Sequence, residues 1–330
     1  MFDQGGYQLD LSAFDDEVRV VSTGRLPISD TVRAGIEDAY SRYHLVRDGA
    51  VPSCYPALAQ VDPDLFGIAV AATSGEIFAV GDVDTTFTIM GIAQPFVLAI
   101  VLDRIGPQEV RRLVGVNATG FPFNSVIPAD GSGNGLNNPM VNTGALAITS
   151  LVPGGNAEEK WEVIAKCLAQ FAGRRLTLDE PVFASASSSN HRNRALANLL
   201  LSAGRLYSDP TETVDLYTRQ SSLSVTAIDL AVVGSTLAHG GLNPLTGEGV
   251  VSATVCRRVL AVMAAAGLYE SSGGMALRCG STGKERRRRR DRYGFSRQRR
   301  FSHVCSTVGR NRKQRSRAAG GPISGPAPGS

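Results

Sequence analysis

The sequence contains no uninterrupted apolar run of the roughly 18 residues that a membrane-spanning helix needs, so no membrane segment is expected. Its first residues, Met1 to Asp16, are acidic and lack the basic and apolar regions of a secretory signal. Cysteines are few and scattered. Cys54, Cys167, Cys256, Cys279 and Cys305 show no C-x-x-C spacing, which argues against a small disulfide scaffold and for free thiols in a cytoplasmic setting. The 4 histidines lie far apart and give no metal signature. No internal repeat is present. What remains is a chain of 330 residues, long enough to bury a large core in one or two domains.

The net charge of +4 hides two unlike parts. Between Lys284 and Arg317 there are 15 basic and 2 acidic residues, leaving 19 basic against 28 acidic elsewhere. An acidic globular portion is therefore followed by a basic tail. Three segments are expected: a loosely attached leader over 1–27, a folded domain over 28–284, and a disordered tail over 285–330, which has too few large apolar residues to build a core.

Hydrophobic periodicity organises the folded part. Ser29 or Asp30 is placed to cap a helix whose apolar face is Val32, Ile36, Tyr40 and Tyr43. Leu65 to Val70 and Ile77 to Val80, joined through Thr73-Ser74-Gly75-Glu76, read as a β-hairpin. Pro107 opens a short helix over 108–114, where its missing N–H costs nothing. The Gly- and Asn-rich stretch 117–142 reads as a surface loop; its Gly131-Ser132-Gly133-Asn134-Gly135 lacks the strand and capped helix of a phosphate cradle. Helices are expected over 144–151, 157–171, 192–202, 211–217, 226–238 and 253–266, with Gly204, Gly240 and Gly267 as terminators. Two or three early strands cannot make a complete sheet. The missing ones should follow Tyr269, where the sequence instead turns basic.

One stretch carries the chemical question. The residues Phe87-Thr88-Ile89-Met90 suggest a strand end, and Phe96, Val97, Ile100 and Val101 then recur at helical spacing. Gly91 falls near the start of this buried helix, and Gln94 follows one turn in. A helix N-terminus offers free N–H groups and partial positive charge, a natural seat for a nucleophile or an oxyanion. Neither Gly91 nor Gln94 can act as that nucleophile.

Several strings, in order, resemble the glutaminases, serine-dependent amidohydrolases of the β-lactamase and penicillin-binding-protein fold. They include Val61-Asp62-Pro63-Asp64-Leu65-Phe66-Gly67, Phe123-Asn124-Ser125, Asn138-Pro139-Met140-Val141-Asn142-Thr143-Gly144-Ala145, Arg192-Asn193-Arg194, Asp215-Leu216-Tyr217, Gly241-Leu242-Asn243-Pro244 and Gly267-Leu268-Tyr269. The resemblance implies an α/β fold, a sheet flanked by helices with a helical subdomain, and hydrolysis of L-glutamine to L-glutamate and ammonia without metal or cofactor. It implies a serine that attacks the amide, a lysine three residues on that accepts its proton, and homo-oligomers. Asn142, Asn193, Tyr217 and Tyr269 match substrate-contacting positions of the family. Gly91 stands at the serine position and Gln94 at the lysine position. Ala186 replaces an expected glutamate, and Cys54 an expected tyrosine beside Tyr55. An impaired or inactive copy is expected; the alternatives are a non-catalytic glutamine-binding protein or partner of an active paralogue, and a nucleic-acid binder acting through the tail.

The tail has a reading in the genetic code. Permitted codons for Glu285 to Phe295, read one base later, encode SGVGGGIVTV, which with Lys284 in front resembles the family's glycine-rich strand; continuing to Arg317 allows a second family-like string. The basic run, with Arg287 on a strand that lines the family's site, is then the shifted reading of a frame that slipped near codon 285, leaving the terminal strands and helix missing. The rival reading is a polybasic segment for nucleic acid or anionic lipid, expected to adhere without sequence selectivity.

Overall fold

A computed structural model describes residues 28–46, 51, 55–129, 137–269 and 272, with the backbone of 283–284 and 304–305. The expected leader, Cys54, the glycine cluster at 131–135, Arg287 and nearly all of the basic tail lie outside the described residues.

The chain begins with α1 (Ser29–Tyr43), a 3₁₀ turn at Pro56–Gln60, and the antiparallel hairpin of β1 (Gly67–Ala71) and β2 (Ile77–Gly81). The register pairs Ile68 with Val80 and Val70 with Phe78, so these four share a face. Val32 and Ile36, one helical turn apart, pack with Phe78 on that face and anchor α1 to it. Ser29 does not cap α1. Its hydroxyl donates instead to Glu76 Oε2 at 2.7 Å, tying the helix start to the hairpin turn. That turn needs Gly75, which has φ of 92° and leaves only 2.9 Å between an added Cβ and the Pro244 carbonyl oxygen.

Next come β3 (Phe87–Thr88), a 3₁₀ turn at Met90–Ala93, α2 (Gln94–Leu113), α3 (Asn142–Ser150) and α4 (Ala157–Ala172). They are followed by β4 (Thr177–Leu178), α5 (Glu180–Ser189), α6 (His191–Ser202), α7 (Pro210–Ser221), β5 (Leu223–Val225), α8 (Ala227–Ala238) and α9 (Ala253–Ala266). The expected short helix at Pro107 is the second half of α2, set off by Gly106 at φ 78° and ψ 169°. The serine-rich α5 is not legible as a helix by periodicity; Asp179 caps it, accepting from Val182 N at 3.0 Å.

Among the described residues, the stretch 90–113 is long and apolar enough to cross a membrane, although Asp103 and Arg104 interrupt it. Most of it is buried: Phe96, Val97, Leu98, Ala99 and Val101 lie in the main core with side chains of α4, α8 and α9. A second cluster joins α3, α6 and α7 through Leu146, Leu196, Leu200, Val214 and Tyr217.

The fold is mixed α/β, rich in helix, with small sheets. β5 lies between β3 and β4, all antiparallel. α8 lies against β1, on whose face away from α1 the alternation places Ala69 and Ala71, small enough for close approach. β6 (Gly283–Lys284) and β7 (Val304–Cys305) pair with each other, and among the described residues β1 pairs with β2 alone. Gly267 ends α9 in the right-handed region, not in the left-handed cap conformation that terminating glycines favour. The left-handed residue there is Tyr269, at φ 55°.

Candidate active site

The site lies where the two clusters meet, at the N-terminus of α2. Ile89 enters it from β3, its N–H bonded to the Leu223 carbonyl at 2.8 Å, so the short sheet fixes where the next turn begins. Met90 then adopts φ of 51°, a left-handed conformation costly for a residue with a side chain. Gly91 follows inside the 3₁₀ turn and Gln94 is the first residue of α2, so the pair lies one turn apart as the spacing predicts. A Cβ added at Gly91 would sit 3.3 Å from the Tyr269 hydroxyl, 3.8 Å from Gln94 Nε2 and 3.9 Å from Gln94 Cδ.

Beginning at Gln94, a chain of uncharged polar groups runs across four helices. Gln94 Nε2 donates to the Tyr217 hydroxyl at 3.1 Å. That hydroxyl donates, at a long 3.5 Å, to Asn142 Oδ1, and Asn142 Nδ2 donates to Asn193 Oδ1 at 3.1 Å. Burial pushes the Tyr217 phenol up to about 12, against a smaller opposing effect of the Gln94 hydrogen bond. The phenol is therefore neutral at physiological pH. Gln94 is 3 % exposed, and its Oε1 has no hydrogen-bond partner among the described residues.

Asn142 is placed from below. Its N–H donates to the Phe123 carbonyl at 2.9 Å, and Asn138 holds the preceding turn by donating to the carbonyls of Val116 and Asn117. Asn138 Oδ1 accepts from Met140 N, and Thr143 donates to Asn137 Oδ1. Gly144 cannot be replaced cheaply, because an added Cβ would lie 2.0 Å from the Asn138 carbonyl oxygen. Tyr269 is held by its ring against Phe123, with centroids 4.9 Å apart, and by Ser272, which donates to its carbonyl and accepts from Leu268 N.

Gly91, Gln94, Asn142, Asn193, Tyr217 and Tyr269 thus converge, although they come from four helices, a turn and a segment after α9. Ala186 is buried on α5 and brings no polar atom. The Ser187 hydroxyl beside it is buried without a partner among the described residues. Tyr55 leads into the 3₁₀ turn that bonds to α5 through Ala57 N and Ser185 Oγ. Sequence reasoning missed the parts played by Phe123, Asn137 and Asn138 in placing Asn142 and Tyr269; the quoted strings contain Phe123 and Asn138 without indicating what they touch.

Among the described residues that converge here, the chemistry available is hydrogen bonding. The converging side chains are amides and phenols, with no carboxylate, ammonium or imidazole among them. Among the described residues, the two cysteine thiols do not help. Burial raises Cys167 to about 12 and Cys256 to about 11, leaving both as inert thiols. No group of His, Cys, Asp and Glu suited to a metal occurs among the described residues.

Comparison with known proteins places the chain. The family profile described as Glutaminase matches residues 49–285. Glutaminase 2 of Yersinia pestis is 50 % identical over 264 residues, covering 80 % of this chain and 78 % of that protein. A solved probable glutaminase superposes with a TM-score of 0.76 at 39 % identity, over 78 % of this chain and 83 % of the other. A probable glutaminase of Bacillus subtilis gives 0.71 at 30 % identity, over 77 % and 80 %.

Proposed function

Since the chain belongs to the glutaminase family, we propose that it retains part of that family's amide-binding wall and has lost the reaction, hydrolysis of L-glutamine to L-glutamate and ammonia. One observation carries this: the Cβ position at Gly91, where the resemblance puts the attacking serine, is surrounded by a phenol and a carboxamide and bears no oxygen. An acyl-enzyme needs a nucleophile and a base to take its proton. Gly91 supplies no nucleophile. Gln94 supplies no base, and Tyr217, neutral to about 12, does not replace it. Loss of a catalytic serine costs on the order of 10⁶ in turnover in an unrelated serine hydrolase.

The folded unit is 28–284, and the residues after it are the shifted reading of a frame that once continued the family sequence. Support comes from where the likeness stops: the family match ends at residue 285, the first residue before the arginine run. Adhesion of the tail to nucleic acid is electrostatic and without sequence preference. A second reading, a non-catalytic glutamine-binding protein, is favoured by the Tyr217–Asn142–Asn193 hydrogen-bond chain.

The protein as written should release ammonia from glutamine no faster than buffer. The variant carrying Gly91→Ser, Gln94→Lys and Ala186→Glu with the frame restored should recover turnover. Turnover by the unaltered chain at rates typical of its relatives would remove the proposal.

A further inference from the structure

Apart from the site at α2, the end of α5 and the sides of α6 and α7 enclose a cavity of about 210 Å³ that opens to solvent. Its wall carries one guanidinium, Arg194, and one carboxylate, Asp215. The hydroxyls of Ser187 and Thr211, the Asn198 amide and the apolar Val214 complete it. We propose that this cavity binds a small zwitterion, an α-amino acid with a short side chain, its carboxylate on Arg194 and its ammonium on Asp215.

Three observations support it. The first is charge. A lone anion entering the cavity would meet the Asp215 carboxylate, and a lone cation the Arg194 guanidinium; a zwitterion satisfies both. Arg194 spends Nη2 on the Ser187 carbonyl, and among the described residues its other N–H groups make no bond. A planar guanidinium fork suits a carboxylate. Asp215 meets Arg219 only loosely, Oδ2 to Nε at 3.5 Å along the same helix, a contact of little strength at a surface. Burial holds the Asp215 carboxyl above the ordinary carboxylate value, with Arg219 opposing and Glu158 adding a smaller push, so a cation brought beside it is favoured. The second is an unmet donor. The Ser187 hydroxyl is buried without a partner among the described residues, and a buried hydroxyl left so is costly. A ligand carboxylate would accept from it. The third is size. The volume lies below the roughly 300–1,000 Å³ of drug-sized sites, and Val214 offers apolar surface for a short side chain.

The cavity adjoins the candidate active site without sharing its side chains. Ser187 follows Ala186, Arg194 follows Asn193, and Val214 lies one turn before Tyr217 in the same apolar cluster. Neither Ala186, Asn193 nor Tyr217 lines the cavity. An occupant would brace the three helices that carry those positions, so the chain holds an amino acid here whether or not the α2 site binds glutamine.

Calorimetry on the full chain tests this with L-alanine as titrant, and with propionate and ethylamine as controls that each carry one charged end. L-alanine should bind saturably, and each control at least about tenfold more weakly. Arg194→Gln and Asp215→Asn should each weaken L-alanine by about tenfold or more, while Tyr217→Phe should leave it unchanged. Arg194 is exposed, so Arg194→Gln carries the test if Asp215→Asn does not fold. Absence of saturable binding up to about 50 mM overturns the proposal. So does propionate or ethylamine binding as tightly as L-alanine, or a folded Arg194→Gln, with native circular dichroism, that binds as the unaltered chain does. Loss of binding in Tyr217→Phe with retention in both cavity variants would move the ligand to the α2 site and equally overturn it.

Discussion

At the scale of single residues, the side chains that converge at the site are joined by neutral hydrogen bonds. Tyr217 makes this measurable. Its folded value of about 12 lies above the ordinary 10 because burial penalises the phenolate. The neutral phenol thus contributes stability that is fully present below pH 10 and is lost as pH rises through 12, amounting to ~2–3 kcal/mol. A urea titration series should show the midpoint falling over that interval, with the fall reduced in Tyr217→Phe. An unchanged slope in the phenylalanine variant would show that other groups govern alkaline unfolding. The sequence made Gly91, Gln94, Asn142, Asn193, Tyr217 and Tyr269 legible as candidates, because they sit in strings with recognisable neighbours. It gave no indication that Gln94 would bond to Tyr217, since that contact spans 123 positions.

At the scale of elements, capping explains both what was readable and what was not. Expected boundaries for α4, α8 and α9 fall within a residue of those observed, because Asn156, Thr226 and Ser252 accept hydrogen bonds from their first turns. α1 begins without such a cap, and its Ser29 serves the hairpin instead. α5 went unread because its serines mask any apolar stripe, and its start depends on Asp179. The most exposed test of this logic is Asp229. It completes the Thr226 capping box of α8 and also receives the Arg174 guanidinium, with Nε at 2.6 Å. Asp229 is nearly buried while Arg174 is 45 % exposed, so solvent weakens the ion pair and the cap carries much of the effect. Asp229→Ala should cost ~2–3 kcal/mol in chemical denaturation, and Arg174→Ala distinctly less. Equal losses would mean that the ion pair, and not the cap, dominates.

At the scale of the whole molecule, the body and the sheet have unequal support. The helical core around α2 is continuous, whereas β1 and β2 form a sheet of two strands, a size that is marginal without further cover. α1 and α8 supply that cover on the two faces, while β1 pairs only with β2 among the described residues. An unpaired strand edge favours association between chains. On the frame reading proposed above, a chain continued in the other frame after Lys284 should raise Tm by at least ~5 °C and reduce light scattering on heating; identical melting of the two chains would rule out a missing-strand origin for any weakness. Met90 holds a left-handed backbone immediately before Gly91, a position that carries no side chain. On the proposed reading of Gly91 as the lost serine position, laboratory evolution starting from this gene needs new side chains on an existing chassis.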